Sequence, residues 1–125
     1  MRRTALILSL VAVAALSGCA KKTRPPGDPG VCYHVVTSAD GKLKYNRLSQ
    51  NVPNLETCAA NLEAMRINFL RMGGNNRDIM GAYQGNFLFL QRGGIFSASS
   101  LESHRYLALV RTGDGRLAIP SAIAQ

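Results

Sequence analysis

The sequence holds few of the side chains from which reaction centres are built. Among 125 residues there are two histidines, three cysteines and seven acidic groups. No G-x-S-x-G marks a nucleophile turn, and Ser103 and His104 are adjacent, which on a strand sends their side chains to opposite faces. His34 stands among valines and reads as a hydrogen-bonded strand residue. No carboxylates pair at a spacing useful for acid/base work, because Glu56 and Glu63 are expected on the solvated side of a helix. Gly73-Gly74 and Gly93-Gly94 lack the Lys and Ser or Thr that complete a phosphate loop. No catalytic group, cofactor or metal site is therefore expected. Long apolar runs are missing too. Ala5 to Leu16 covers about a dozen residues, short of the roughly 20 that span a bilayer, and no later stretch comes near that length. Acidic residues are scarce enough to leave a formal charge of +8. Five of the cations precede Val31, however, and from there on ten Lys and Arg face six Asp and Glu, a balance of +4. This mild excess suits contact with acidic polymers or anionic headgroups and falls short of a nucleic-acid footprint.

What is present at the start is a cationic Met1-Arg2-Arg3, the apolar run and then Leu16-Ser17-Gly18-Cys19. The first two have the pattern of a secretory signal. The last four residues resemble the lipobox of bacterial lipoprotein precursors, with all four positions matching. The resemblance implies attachment of a diacylglycerol to the Cys19 thiol, cleavage before Cys19, acylation of the new amine, and a mature chain anchored in a membrane of the cell envelope and facing the periplasm. Ala20, where an inner-membrane retention signal would place Asp, points to the outer rather than the inner membrane. Residues 1–18 are then the signal peptide and 19–30 a tether, since Ala20 to Gly30 has three prolines and no apolar period and should be extended and solvated. Lys21, Lys22 and Arg24 could each gain on the order of 1 kcal/mol against an anionic leaflet.

Residues 31–120 read as one α+β domain, with 121–125 a tail. Val31 to Thr37 and Lys42 to Leu48 form a hairpin about Asp40-Gly41. Leu55, Cys58, Leu62, Met65 and Phe69 alternate at three and four, and with Asn54 as N-cap and Gly73-Gly74 as stop they predict an amphipathic helix of about five turns. Ile79 to Gln84, Phe87 to Gln91 and Ile95 to Ala98 are short strands, the second apolar on both parities and therefore central. Residues 99–111 read as strand or short helix, and the turn at Thr112 to Gly115 favours a hairpin. The architecture expected is one helix packed on an antiparallel sheet of five or six strands.

Four pieces of the domain resemble small alphaproteobacterial envelope proteins: Cys32-Tyr33-His34-Val35-Val36, Cys58 to Arg66, Gly81 to Gly85 and Arg111 to Leu117. That resemblance carries no activity across. With Cys19 committed to lipid, Cys32 and Cys58 are left, and an oxidising envelope makes a bridge between them the expectation. Two thiols alone cannot complete a zinc site. If Cys32 faces the helix, alternation sends Tyr33 and Val35 to the other face, so either both faces are covered or the strand is bulged. Arginines near glycine turns, Arg71, Arg77 and Arg92 with Arg105, Arg111 and Arg116 later, could grip carboxylate or phosphate groups. Three functions are compatible with these features. The first is a non-catalytic envelope lipoprotein whose domain binds a protein or assembly, the second a module for an anionic envelope glycan or lipid, and the third a small periplasmic hydrolase.

Overall fold

The computed structural model describes residues 21–75 and 78–120. The signal peptide, Cys19, Arg77 and the 121–125 tail lie outside the described residues. The elements in chain order are β1 (Cys32–Thr37), β2 (Leu43–Ser49), α1 (Leu55–Arg71), β3 (Ile79–Tyr83), β4 (Asn86–Gln91), β5 (Gly94–Ala98), β6 (Tyr106–Arg111) and β7 (Leu117–Ala118). All the strands join one antiparallel sheet in the order β2-β1-β3-β4-β5-β6-β7. The sheet has seven strands, not five or six. The extra member comes from the Thr112–Arg116 turn, which folds the short β7 back onto β6. Residues 106–111 are strand, and the segment before them is a turn.

Helix α1 begins and ends where its sequence dictates. The Asn54 Oδ1 accepts from the Thr57 amide at 2.8 Å and from its hydroxyl at 2.7 Å, satisfying donors that the first turn leaves over. At the other end the Gly74 amide donates to Phe69 O and the Gly73 amide to Leu70 O, the paired bonds of a Schellman motif, with Gly73 at φ 85°. The helix lies over β3, flanked by β2 and β4. Its approach is close because β3 presents Gly81 beneath Leu62. A Cβ there would run into Leu62 Cδ1 and come within 2.9 Å of Tyr33 O. Leu62, Cys58, Ala59, Ile79, Leu88, Leu90, Ile95 and Leu109 form the core of this face.

Cys32 and Cys58 are bridged, with Cα atoms 5.4 Å apart, and both are fully buried. The bond ties β1 to the first turns of α1. Closing a loop of this size is worth roughly 3.5 kcal/mol on chain-entropy grounds, a large share of a small domain's stability. The alternation conflict in β1 resolves in both ways at once. Pairing with β2 shifts register between Cys32 and Tyr33, and the other face of the sheet is covered as well. Tyr33, Val35, Ala82, Phe87, Phe89 and Ala98 are buried there.

That second face is closed by several different devices. Tyr45 of β2 stacks on Phe87 of β4 with ring centroids 6.5 Å apart and meets Tyr33 edge-on. Those strands are three spacings apart, about 14 Å in a flat sheet, so the sheet curls toward this side. The Arg105 guanidinium sits 3.6 Å above the Phe89 ring. The remaining cover is the stretch expected to be a solvated tether; it has no regular structure up to Asp28, and Arg24 and Gly27 to Pro29 are exposed, but from Thr23 onward it is tied to the domain. Pro25 is buried. The Leu101 amide donates to Thr23 O at 3.0 Å, the Gly85 amide to Pro26 O at 3.0 Å, and the Gly30 amide to Gln84 Oε1 at 2.9 Å. The segment crosses the sheet end formed by the close of β5, the β3–β4 turn and the start of β1. Its prolines remove donors that this irregular path could not satisfy, and several of its remaining polar groups find partners.

Candidate functional site

The densest polar constellation is centred on Glu63, which was expected to face solvent and is instead only 6% exposed. The helical stripe is wider than its most apolar positions suggest. Ala59 is buried, and Glu63, one turn further on, follows it under the β6–β7 hairpin. Its Oε1 accepts from Arg66 Nη2 at 2.6 Å and from Arg111 Nε at 2.9 Å. Its Oε2 accepts from Arg66 Nε at 3.1 Å and from Arg111 Nη2 at 2.9 Å. Burial alone would push this carboxyl up. The bonds and charges of Arg111 and then Arg66 outweigh burial and hold it at about 2. Arg111 also donates through Nη1 to Gln91 O at 2.5 Å, so one guanidinium joins helix, β4 and β6. This geometry makes Arg111 a structural tie.

Arg92, exposed in the β4–β5 turn, completes a cavity of about 320 Å³ whose walls are Arg66, Leu70, Arg92 and Arg111. A neighbouring cavity of about 220 Å³ lies under the hairpin tip and is bordered by Glu63, Ile67, Arg111 and Arg116 among others. Of the arginines singled out in the sequence, the structure thus brings Arg92 and Arg111 around one cavity and Arg111 and Arg116 around its neighbour. Arg71, exposed in the last turn of α1, lines neither, and Arg105 is engaged on the second face. Arg66 was missed. Its three-residue spacing from Glu63 is the signal that could have found the pair, and the burial of Glu63 is what makes the pair matter. Asp78 adds a negative charge acting on Arg66, so the cleft is cationic by a small margin.

The other candidates are placed differently. His34 is half-buried with its ring 6.3 Å from that of Phe69, and burial lowers its pKa. Ser100 and Ser103 pair through their hydroxyls at 2.5 Å, and the Ser103 amide donates to Ser100 Oγ, closing the turn after β5. His104 is exposed beyond that turn. Among the described residues no three of His, Cys, Asp and Glu gather as metal ligands. Ser97 is fully buried on the helix face, and its Oγ has no hydrogen-bond partner among the described residues. In comparisons with known proteins, no family model, curated protein or solved structure matches this chain.

Proposed function

We propose that this chain is a lipid-anchored lipoprotein of the bacterial envelope, held by Cys19 in the outer rather than the inner membrane, whose periplasm-facing domain works by binding and not by catalysis. The observation that carries this reading is Leu16-Ser17-Gly18-Cys19 directly after a signal-like apolar run. A bridge between the two other cysteines supports it, because such bonds persist in oxidising compartments. The test is metabolic labelling with an alkynyl fatty acid. The wild type should take up label and sediment with membranes, and Cys19→Ser should do neither. Equal label on both would refute the anchor.

A second reading concerns what the domain binds. Arg92 converges with Arg66 and Arg111 on one cavity, an arrangement suited to carboxylate or phosphate groups of an envelope polymer. Because Arg66 and Arg111 are both committed to Glu63, affinity would rest on Arg92, exposed in the β4–β5 turn. Arg92→Glu should weaken retention on purified envelope polymer at unchanged thermal stability. Equal retention would favour a protein partner docked elsewhere.

A further inference from the structure

The N-terminal segment fixes more than the second face. Thr23 is clamped at the turn after β5, where its amide and hydroxyl donate to the two Glu102 carboxylate oxygens at 2.7 and 2.8 Å and its carbonyl accepts from Leu101. Cys19 precedes Thr23 by four residues. Fully extended, that stretch reaches about 14 Å. If Cys19 carries acyl chains, as the lipoprotein reading on which this inference rests requires, the Leu101–Glu102 turn is leashed within about that distance of the acylated residue.

The chemistry near that turn fits a bilayer surface. Tyr106 is 56% exposed, Leu107 40% and Ile119 51%, although six large apolar side chains are exposed in all among the described residues. These three share one groove of about 500 Å³ with Leu55 at the start of α1. Tyr106 follows the Leu101–Glu102 turn by a few residues, at the start of β6, and tyrosine favours the headgroup level. Lys21, Lys22 and Arg24 lie on the approach to the turn, and Arg105, next to Tyr106, is held in place over Phe89. Against them stand Glu102, already occupied by Thr23, Glu56 on the groove wall, and Asp28 in the same N-terminal segment, which accepts from the Tyr33 hydroxyl.

We infer that this end of the sheet seats on an anionic phospholipid surface, with Tyr106 at headgroup depth, Leu107 and Ile119 further up the groove behind it, and the basic residues against lipid phosphates. The domain then stands on its membrane in one orientation and does not swing on a tether. The far end of α1, about 25 Å away along its 17 residues, points into the periplasm.

Because the chain contains no tryptophan, Tyr106→Trp and, at the far end, Met72→Trp are single fluorescent reporters on exposed sites. The full mature protein of each variant, purified from membranes with acylation verified by mass, is reconstituted into phosphatidylglycerol–phosphatidylethanolamine vesicles containing brominated lipid. Emission from the Tyr106→Trp protein should shift to the blue and fall roughly twofold, as expected for an indole at the interface, while the Met72→Trp protein stays unchanged. Adding Lys21→Glu and Lys22→Glu to the Tyr106→Trp protein should reverse much of that quenching. Two results overturn the inference alone. In one, the two acylated reporter proteins respond alike. In the other, the indole at position 106 is shielded without lipid and unquenched with it, because a protein or the chain's own 121–125 covers it. Absence of acyl mass overturns the lipoprotein reading and the inference with it.

Discussion

The two faces of the sheet are closed by different physics. One is covered by a regular helix whose apolar stripe lies on aliphatic side chains, with a disulfide fixing the contact and Gly81 admitting Leu62. The other is aromatic and is covered piecemeal by Tyr45, by Arg105 over Phe89, and by an irregular segment held through single hydrogen bonds. The first closure is periodic and therefore visible in sequence. The second depends on which backbone amides happen to meet which carbonyls, and no period announces it. The difference also bears on the proposed lipid anchor, since the irregular closure leads in sequence to Cys19.

The comparison can be broken most severely at the helix face. Replacing Cys32 and Cys58 with serine should cost roughly 3.5 kcal/mol, seen as a lower midpoint in denaturant melts with the mature chain still cooperative. Retention of full stability would mean that packing alone holds α1 in place. Gly81→Ala should follow at about 2–3 kcal/mol, because its Cβ would press on Leu62 and also on a backbone oxygen that cannot yield. A crystal structure of that variant should show α1 displaced outward.

Acid sharpens the same comparison at the helix edge. The folded pKa of Glu63 is about 2, below the value near 4.3 of an unfolded glutamate, so its contribution is fully present above the unfolded value and is lost as pH falls toward the folded one. On the order of 2–3 kcal/mol should disappear between about pH 4.5 and 2, and Glu63→Gln should flatten that part of the stability profile. The second face is acid-sensitive as well. The Thr23 amide and hydroxyl hold the exposed Glu102 carboxyl below its ordinary range, so protonation should loosen the segment locally. Smallest of all is the effect at Ser97. Removing its buried, unpartnered hydroxyl in Ser97→Ala should leave the melting temperature unchanged or slightly raised, and a clear drop would reveal a partner for that oxygen.

Much of the helix face was legible. Asn54, the three-four alternation and Gly73-Gly74 state the start, the buried side and the end of α1, and each has a local cause in backbone geometry. Apolar residues of both parities in Phe87 to Leu90 identified a central strand for the same reason. Glu63 was misread because burial of a charge depends on two arginines, one of them 48 residues away. The cavity beside it is hidden from the sequence for the same reason, although Arg92 and Arg111 stand near glycine turns. Thr23 to Gly30 was misread because proline-rich composition describes a chain without regular structure and says nothing about whether it is bound.

The claim on which both the covered second face and the seated anchor depend is that Thr23 to Gly30 belongs to the domain. Amide hydrogen exchange tests it at two positions, since Leu101 donates to Thr23 O and Gly85 to Pro26 O. Both amides should exchange far more slowly than those of the open Gly113 and Gly115 turn, and Glu102→Ala should speed Leu101 while sparing the helix amides. Exchange at Leu101 and Gly85 as fast as in that turn, unchanged by Glu102→Ala, would contradict the account.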